Sequence, residues 1–202
     1  MSVYATLERA VDDLRAGRFL VLVDSREREN EGDLIVAAEK LTPEAAAFMM
    51  RRARGMFLLS TTPATLARIG VPLIEPRHGD TVLTPRMGVP FDARHDIDTG
   101  IAAADRATTV RRAVDPSSGP DDFVLPGHVQ PLATHDDGFA ARQGHTEGSV
   151  ALVQLAGLAP AAVMSEVLTH EGRMADRGEL ETFARQSGCR IVEMEEVARG
   201  VG

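Results

Sequence analysis

Five carboxylates, Asp24, Glu27, Glu29, Glu31 and Asp33, fall within ten consecutive residues, and Arg26 and Arg28 are interleaved with them. Carboxylates this dense repel one another unless they are solvated, paired or bound to a cation. A wet, charged turn meets that condition. So does a site that holds both a cation and an anion, which the alternating arginines suit, and Gly32 lets the backbone turn sharply. A calcium EF-hand loop is excluded, because Arg26 and Arg28 stand where oxygen ligands are needed. A second stretch, Arg142-Gln143-Gly144-His145-Thr146, opens an expected helix. N–H groups at a helix N-terminus attract anions, Gly144 allows close approach, and Arg142 can grip phosphate bidentately. His145, one residue ahead of the expected cap at Thr146, suits a metal or a hydrogen bond to a substrate. The same stretch also reads as a capped helix with a surface histidine.

Two weaker signals follow. Pro126-Gly127-His128-Val129 reads as an exposed turn, where a histidine is ordinarily just solvated. Glu166 lies within the apolar run Ala162-Val163-Met164-Ser165-Glu166-Val167-Leu168. A carboxylate there is costly to bury unpaired. It is either paired with an arginine at the core edge or held at a raised pKa for acid–base work. Strand alternation puts it on a face with Met164 and Leu168. Other chemistries lack their residues: there is no Gly-rich dinucleotide fingerprint after a strand, no phosphate loop ending in Gly-Lys-Ser/Thr and no nucleophile elbow. Lys40 is the only lysine and Cys189 the only cysteine, read as a solvated strand end and a small packed side chain.

The elements that must position these groups can be read from periodicity. Phe19–Val23 and Leu34–Ala38 are short, branched runs expected as buried strands on either side of the acidic loop. Residues 4–16 carry a helical stripe of Leu7, Ala10, Val11 and Leu14 that ends at Gly17. Thr42-Pro43 and Thr62-Pro63 are helix starts, with threonine at the cap and proline at the first helical position. Strands are expected at 56–60, 161–168 and 190–193, and helices at 102–114, 146–157 and 176–187. Residues 71–98 show no clear element, and 115–126 read as a loop. Strands mixed with helices suggest a layered domain, and 202 residues suffice for one core, so residues 1–202 are expected to form a single domain.

With 44% hydrophobic residues the composition is that of an ordinary globular protein. A net charge of -8 without a basic stripe argues against a nucleic-acid partner. No apolar run approaches membrane-spanning length, Met1-Ser2-Val3-Tyr4 has no signal-peptide pattern, and one cysteine cannot build a disulfide framework. A cytoplasmic protein without nucleic-acid or membrane partners is expected.

Taken together the motifs resemble one family, the 3,4-dihydroxy-2-butanone 4-phosphate synthases of riboflavin biosynthesis. Arg-Glu-Asn-Glu-Gly-Asp at 28–33, Thr-Gly-Ile-x-Ala-Ala-Asp-Arg at 99–106, Pro-Gly-His-Val at 126–129, Arg-x-Gly-His-Thr-Glu at 142–147 and the Glu166 strand occur in the family's order and spacing. The resemblance implies an α+β fold in three layers, a mixed twisted β-sheet between helical layers. It implies a homodimer that converts the phosphorylated pentulose D-ribulose 5-phosphate to 3,4-dihydroxy-2-butanone 4-phosphate and formate. The enzyme class is a carbon–carbon lyase that needs Mg2+, or alternatively Mn2+, and no organic cofactor. By motif match, Glu29 and His145 take the metal positions. Arg28, Glu29, Asp33, Arg142, Gln143, Gly144, His145, Thr146 and Glu166 take substrate-binding positions, and His128, Glu166 and Asp33 catalytic ones.

Departures from the family pattern cluster on stretches expected to line the pocket. Leu58 replaces a cysteine and Arg54 a serine, Asp24-Ser25-Arg26-Glu27 replaces a more acidic run, and Ala102 replaces a serine. A diverged paralogue acting on a related sugar phosphate in another pathway, or a non-catalytic homologue, is the alternative these departures allow.

Overall fold

The computed structural model describes residues 3–25, 27–77 and 84–201, so the Arg26 departure lies outside the described residues. Among those residues seven α-helices cover an eight-stranded mixed sheet. The strands are β1 (Leu20–Val23), β2 (Gly32–Ala37), β3 (Leu58–Thr61), β4 (Arg86–Met87), β5 (Phe91–Ala93), β6 (Phe123–Ala133), β7 (Ala161–Glu166) and β8 (Arg190–Glu193). They run in the order β4-β6-β3-β7-β2-β1-β8, with β5 added to the first half of β6. The pairs β1–β8 and β3–β6 are parallel, and β1–β2, β2–β7 and β3–β7 are antiparallel.

Side-chain alternation divides the core in two. Leu20, Leu22, Ile35, Leu58, Ala162, Met164 and Val192 pack with α1 (Leu7–Arg15), α5 (His145–Leu155) and α7 (Met194–Val201). Val21, Val23, Leu34, Val36, Leu59 and Val163 pack with α2 (Pro43–Arg52), α4 (Ala103–Val114) and α6 (Arg177–Ser187) on the other face. This is the three-layer α+β arrangement that the motifs imply. Helix α5 is buried from His145 to Val153, because α1 and α7 flank it while the sheet lies beneath it.

The two Thr-Pro starts cap as read. Thr42 accepts the N–H of Ala45 at the head of α2, and Thr62 accepts that of Thr65 at the head of α3 (Pro63–Arg68). Three expectations need correction. His128 is not in a turn: it lies on β6, eleven residues long, whose first residues read as a loop in the sequence. His145 is the first helical residue of α5 rather than a residue ahead of the cap, and Gly144 is the N-cap. The strand expected at 161–168 ends at Glu166, where its pairing with β2 ends.

Candidate active site

The acidic loop joins antiparallel neighbours, so its two ends are close together. Asp24, immediately after β1, is buried and acts as the hub. Its Oδ1 accepts the backbone N–H of Glu31 at 2.9 Å, and its Oδ2 accepts Arg28 Nη1 at 2.9 Å and the Glu29 N–H at 3.2 Å. Burial alone would raise the pKa of Asp24. The hydrogen bonds from Arg28, Glu31 and Glu29, with the nearby His145, outweigh it and hold the carboxyl below its usual range. The turn closes through Asn30 in the left-handed region, φ 55°, which asparagine tolerates. Arg28 Nη1 also bonds Glu29 at 2.6 Å, so one guanidinium bridges two carboxylates.

Asp24, Glu29 and His145 each offer a ligand atom, all within 4.8 Å of one another. His145 Nδ1 is 4.0 Å from Glu29 Oε2, while its Nε2 is buried and has no hydrogen-bond partner among the described residues. Ligands on one octahedral Mg2+ are about 3–4 Å apart, given metal–oxygen distances of about 2.1 Å. Only a small closure would bring these donors onto one ion. Two carboxylates and an imidazole suit a hard divalent cation, so the residues present fit Mg2+. The sequence does not distinguish Asp24 as a ligand: its acidity is visible there and its burial is not.

Asp33 and Glu166 are directly opposed in the β2–β7 register. They alternate with Ile35 and Met164, so they share the sheet face that α5 covers. Asp33 Oδ1 is buried and has no hydrogen-bond partner among the described residues. Burial, with the charges of Glu166, Glu31 and Glu29 added, pushes the Asp33 carboxyl up to about 6, although His145 pulls the other way. Glu166 Oε2 accepts the backbone N–H of Met56 at 2.8 Å, and among the described residues no arginine forms an ion pair with it.

At the head of α5, Thr146 is buried and Gln143 is exposed. Arg142 lies against Gly144 and donates to Glu147 Oε2 at 2.7 Å. His128 is in a separate cluster. Asp92 on β5 accepts both the backbone N–H of His128, at 3.0 Å, and a bond with its Nδ1, at 2.7 Å. A side chain on Gly100, of the Thr99-Gly100-Ile101 motif, would collide with both groups. Asp92 is thus a further candidate, 36 residues from its partner and brought to it only by β5–β6 pairing. His128 lies on β6 and Glu166 on β7, with β3 between those strands in the sheet. Among the described residues His128 is not part of the candidate ligand group of Asp24, Glu29 and His145.

A cavity of about 750 Å³ between α3, α5 and α7 shares Glu147 with this region but none of the candidate ligands. Cys189 is buried, which pushes its thiol up to about 11 and leaves it inert at neutral pH.

A sequence model described as 3,4-dihydroxy-2-butanone 4-phosphate synthase matches residues 8–199. A 3,4-dihydroxy-2-butanone 4-phosphate synthase of Pseudomonas syringae pv. tomato is 43% identical over 185 residues, covering 92% of this chain and 50% of that protein. The riboflavin biosynthesis protein RibBA of Aquifex aeolicus is 41% identical over 198 residues, 97% of this chain and 48% of its own length. The chain thus spans about half the length of these curated relatives. A solved 3,4-dihydroxy-2-butanone 4-phosphate synthase, in complex with two magnesium ions, has a TM-score of 0.90 at 35% identity, covering 98% of this chain and 97% of that one. Identity of this extent over nearly the whole chain, carried on the same fold, means that the chain belongs to the 3,4-dihydroxy-2-butanone 4-phosphate synthase family.

Proposed function

We propose that the chain is a metal-dependent lyase that converts D-ribulose 5-phosphate to 3,4-dihydroxy-2-butanone 4-phosphate and formate for riboflavin synthesis. Mg2+ is the working ion and Mn2+ its substitute. The observation that carries this reading is the buried His145 beside Asp24 and Glu29, with Asp33 and Glu166 in register on the same sheet face. Atoms balance without an oxidant or second substrate, since the five-carbon phosphate yields a four-carbon phosphate and one carbon as formate. Asp24, Glu29 and His145 would hold the ion, which when bound polarises substrate oxygens and stabilises negative charge on them. Asp33, with a carboxyl near 6, can take and return a proton close to neutral pH. Glu166 beside it serves a second proton transfer. Arg142, Gln143, Gly144 and Thr146 take the phosphate at the head of α5, and Arg28 binds beside the ion site. Incubation with D-ribulose 5-phosphate and Mg2+ should release formate and the four-carbon phosphate in equal amounts, and a chelator should stop both. No formate from folded, metal-loaded protein overturns the reading. Neither a paralogue on another sugar phosphate nor a non-catalytic homologue has an observation in its favour.

The same reading makes the protein a cytoplasmic homodimer that acts on a small phosphorylated pentulose, not on nucleic acid or a membrane. Among the described residues no helix is long and apolar enough to cross a membrane. The exposed apolar residues Met56, Ile101, Val124 and Leu125 adjoin the candidate groups: Met56 bonds Glu166, Ile101 follows Gly100, and Val124 opposes Asp92. We propose that a second copy covers them and that this copy's His128, held by its Asp92, completes the first copy's ion site. Mixing inactive Glu29→Gln and His128→Ala proteins should therefore restore about a quarter of wild-type activity, because half the dimers are mixed and each has one intact site of two. A mixture that stays inactive while mixed dimers form would contradict a shared site.

Leu58 belongs to the apolar floor under these groups. It opposes Met164 in the sheet, one step inward from Glu166 on the same face, and is buried. It cannot hydrogen-bond a substrate hydroxyl, a loss of about 1–3 kcal/mol where that hydroxyl stays buried. Leu58→Cys is expected to raise kcat/KM for D-ribulose 5-phosphate about tenfold and to lower stability by about 1–2 kcal/mol through lost packing. Steady-state kinetics with a denaturant melt checks both. A mutant no faster than wild type would mean that the floor does not meet the substrate.

A further inference from the structure

Glu147, in the first turn of α5, has no part in the chemistry above, yet its side chain is only 2% exposed. A buried carboxylate is costly unless its oxygens are satisfied. Here Oε1 accepts the backbone N–H of His135 at 3.0 Å and Oε2 accepts Arg142 Nη1 at 2.7 Å. The second bond holds a cation where helix electrostatics oppose it, since the N-terminus of a helix is its positive end. The Arg142 guanidinium lies across Gly144, the N-cap, so closely that a Cβ there would collide with Nη1 and Cζ. The absent side chain of Gly144 and the carboxylate of Glu147 therefore both help keep Arg142 at the mouth of α5.

We propose that Glu147 is a positioning residue for the substrate phosphate. It acts through Arg142 and ties the guanidinium, together with the 134–141 loop, to the head of α5 before the phosphate arrives. This rests on the phosphate-binding role given to that helix terminus in the proposed function. An arginine ordered in advance binds its anion without the entropic cost of ordering at that moment, a difference of up to about tenfold in affinity.

Calorimetric titration with inorganic phosphate, on protein without substrate, tests it. Glu147→Gln keeps an acceptor for His135 and removes the charge. Gly144→Ala keeps the charge and puts a methyl where the guanidinium lies. The backbone at this position, φ -97° and ψ 169°, accepts alanine, so this variant serves even where Glu147→Gln does not fold. Each is expected to weaken phosphate binding about tenfold and to raise KM for D-ribulose 5-phosphate in parallel, with kcat nearly unchanged. In an Arg142→Ala background Glu147→Gln should not weaken it further. Unchanged or tighter phosphate binding in the folded variants, or equal weakening without Arg142, overturns the proposal alone. A wild-type protein that binds no phosphate overturns the proposal together with the functional reading beneath it.

Discussion

Glu29→Gln is expected to lower turnover of D-ribulose 5-phosphate at least about a thousandfold, which corresponds to about 4 kcal/mol of lost transition-state stabilisation. The same variant should melt within about 2 °C of wild type, because contacts of a partly exposed carboxylate contribute little to stability. Glu29 is partly exposed and accepts a bond from Arg28, and glutamine can still accept that bond. What glutamine cannot replace is an anionic oxygen next to His145 Nδ1, 4.0 Å away. Paramagnetic titration with Mn2+, paired with steady-state rates and a thermal melt, separates the two effects. A Glu29→Gln enzyme that keeps full activity in the presence of a chelator would remove Glu29 from the metal site.

Asp33→Asn should slow the reaction severely and stabilise the metal-free fold. The Asp33 carboxyl is raised from 3.8 to about 6, mainly by burial. Between those two pH values the folded state holds the proton that the unfolded chain has released. Stability from this group therefore falls as pH rises from about 4 to about 6, and the full cost is present above that window. At about 1.4 kcal/mol per pH unit, the cost approaches 3 kcal/mol at neutral pH. Asparagine carries no charge to bury, so the variant's advantage should be absent near pH 4, grow through pH 6 and level off above pH 7. Its rate should fall about 10²–10⁴-fold, the range for losing a general acid–base group. Denaturant melts of chelated protein at pH 4, 6 and 8 check the first part and steady-state kinetics the second. Equal stability of the two proteins at pH 8 would show that Asp33 is not an uncompensated buried charge. The pairing of higher stability with lost activity is the pattern expected where a site keeps a strained charge for function.

The acidic loop and the Arg142–Thr146 stretch are legible in sequence because their chemistry is local: charge density and a helix start are properties of neighbouring residues. Helix caps at Thr42 and Thr62 are legible for the same reason. Strand β6 is not, because Pro126 and Gly127 read as turn residues and long-range pairing with β3, β4 and β5 makes the segment a strand. Strands β4 and β5 are too short to show a period. Helix α7 follows β8 without an intervening turn, so no boundary signal announces it. Asp24 and Asp92 escape for a third reason. Each is an ordinary acidic residue until the fold buries it and points other groups at it, and burial is a tertiary property.

Anomalous diffraction at the manganese edge, from crystals grown with Mn2+, tests the metal site most directly. The strongest peak should lie within bonding distance of Glu29 and the His145 imidazole, with Asp24 beside it and Asp33 and Glu166 on the same side of the sheet. A catalytically active crystal whose manganese lies elsewhere, with Arg28 still bridging Asp24 and Glu29, would contradict the assignment of these residues to the ion.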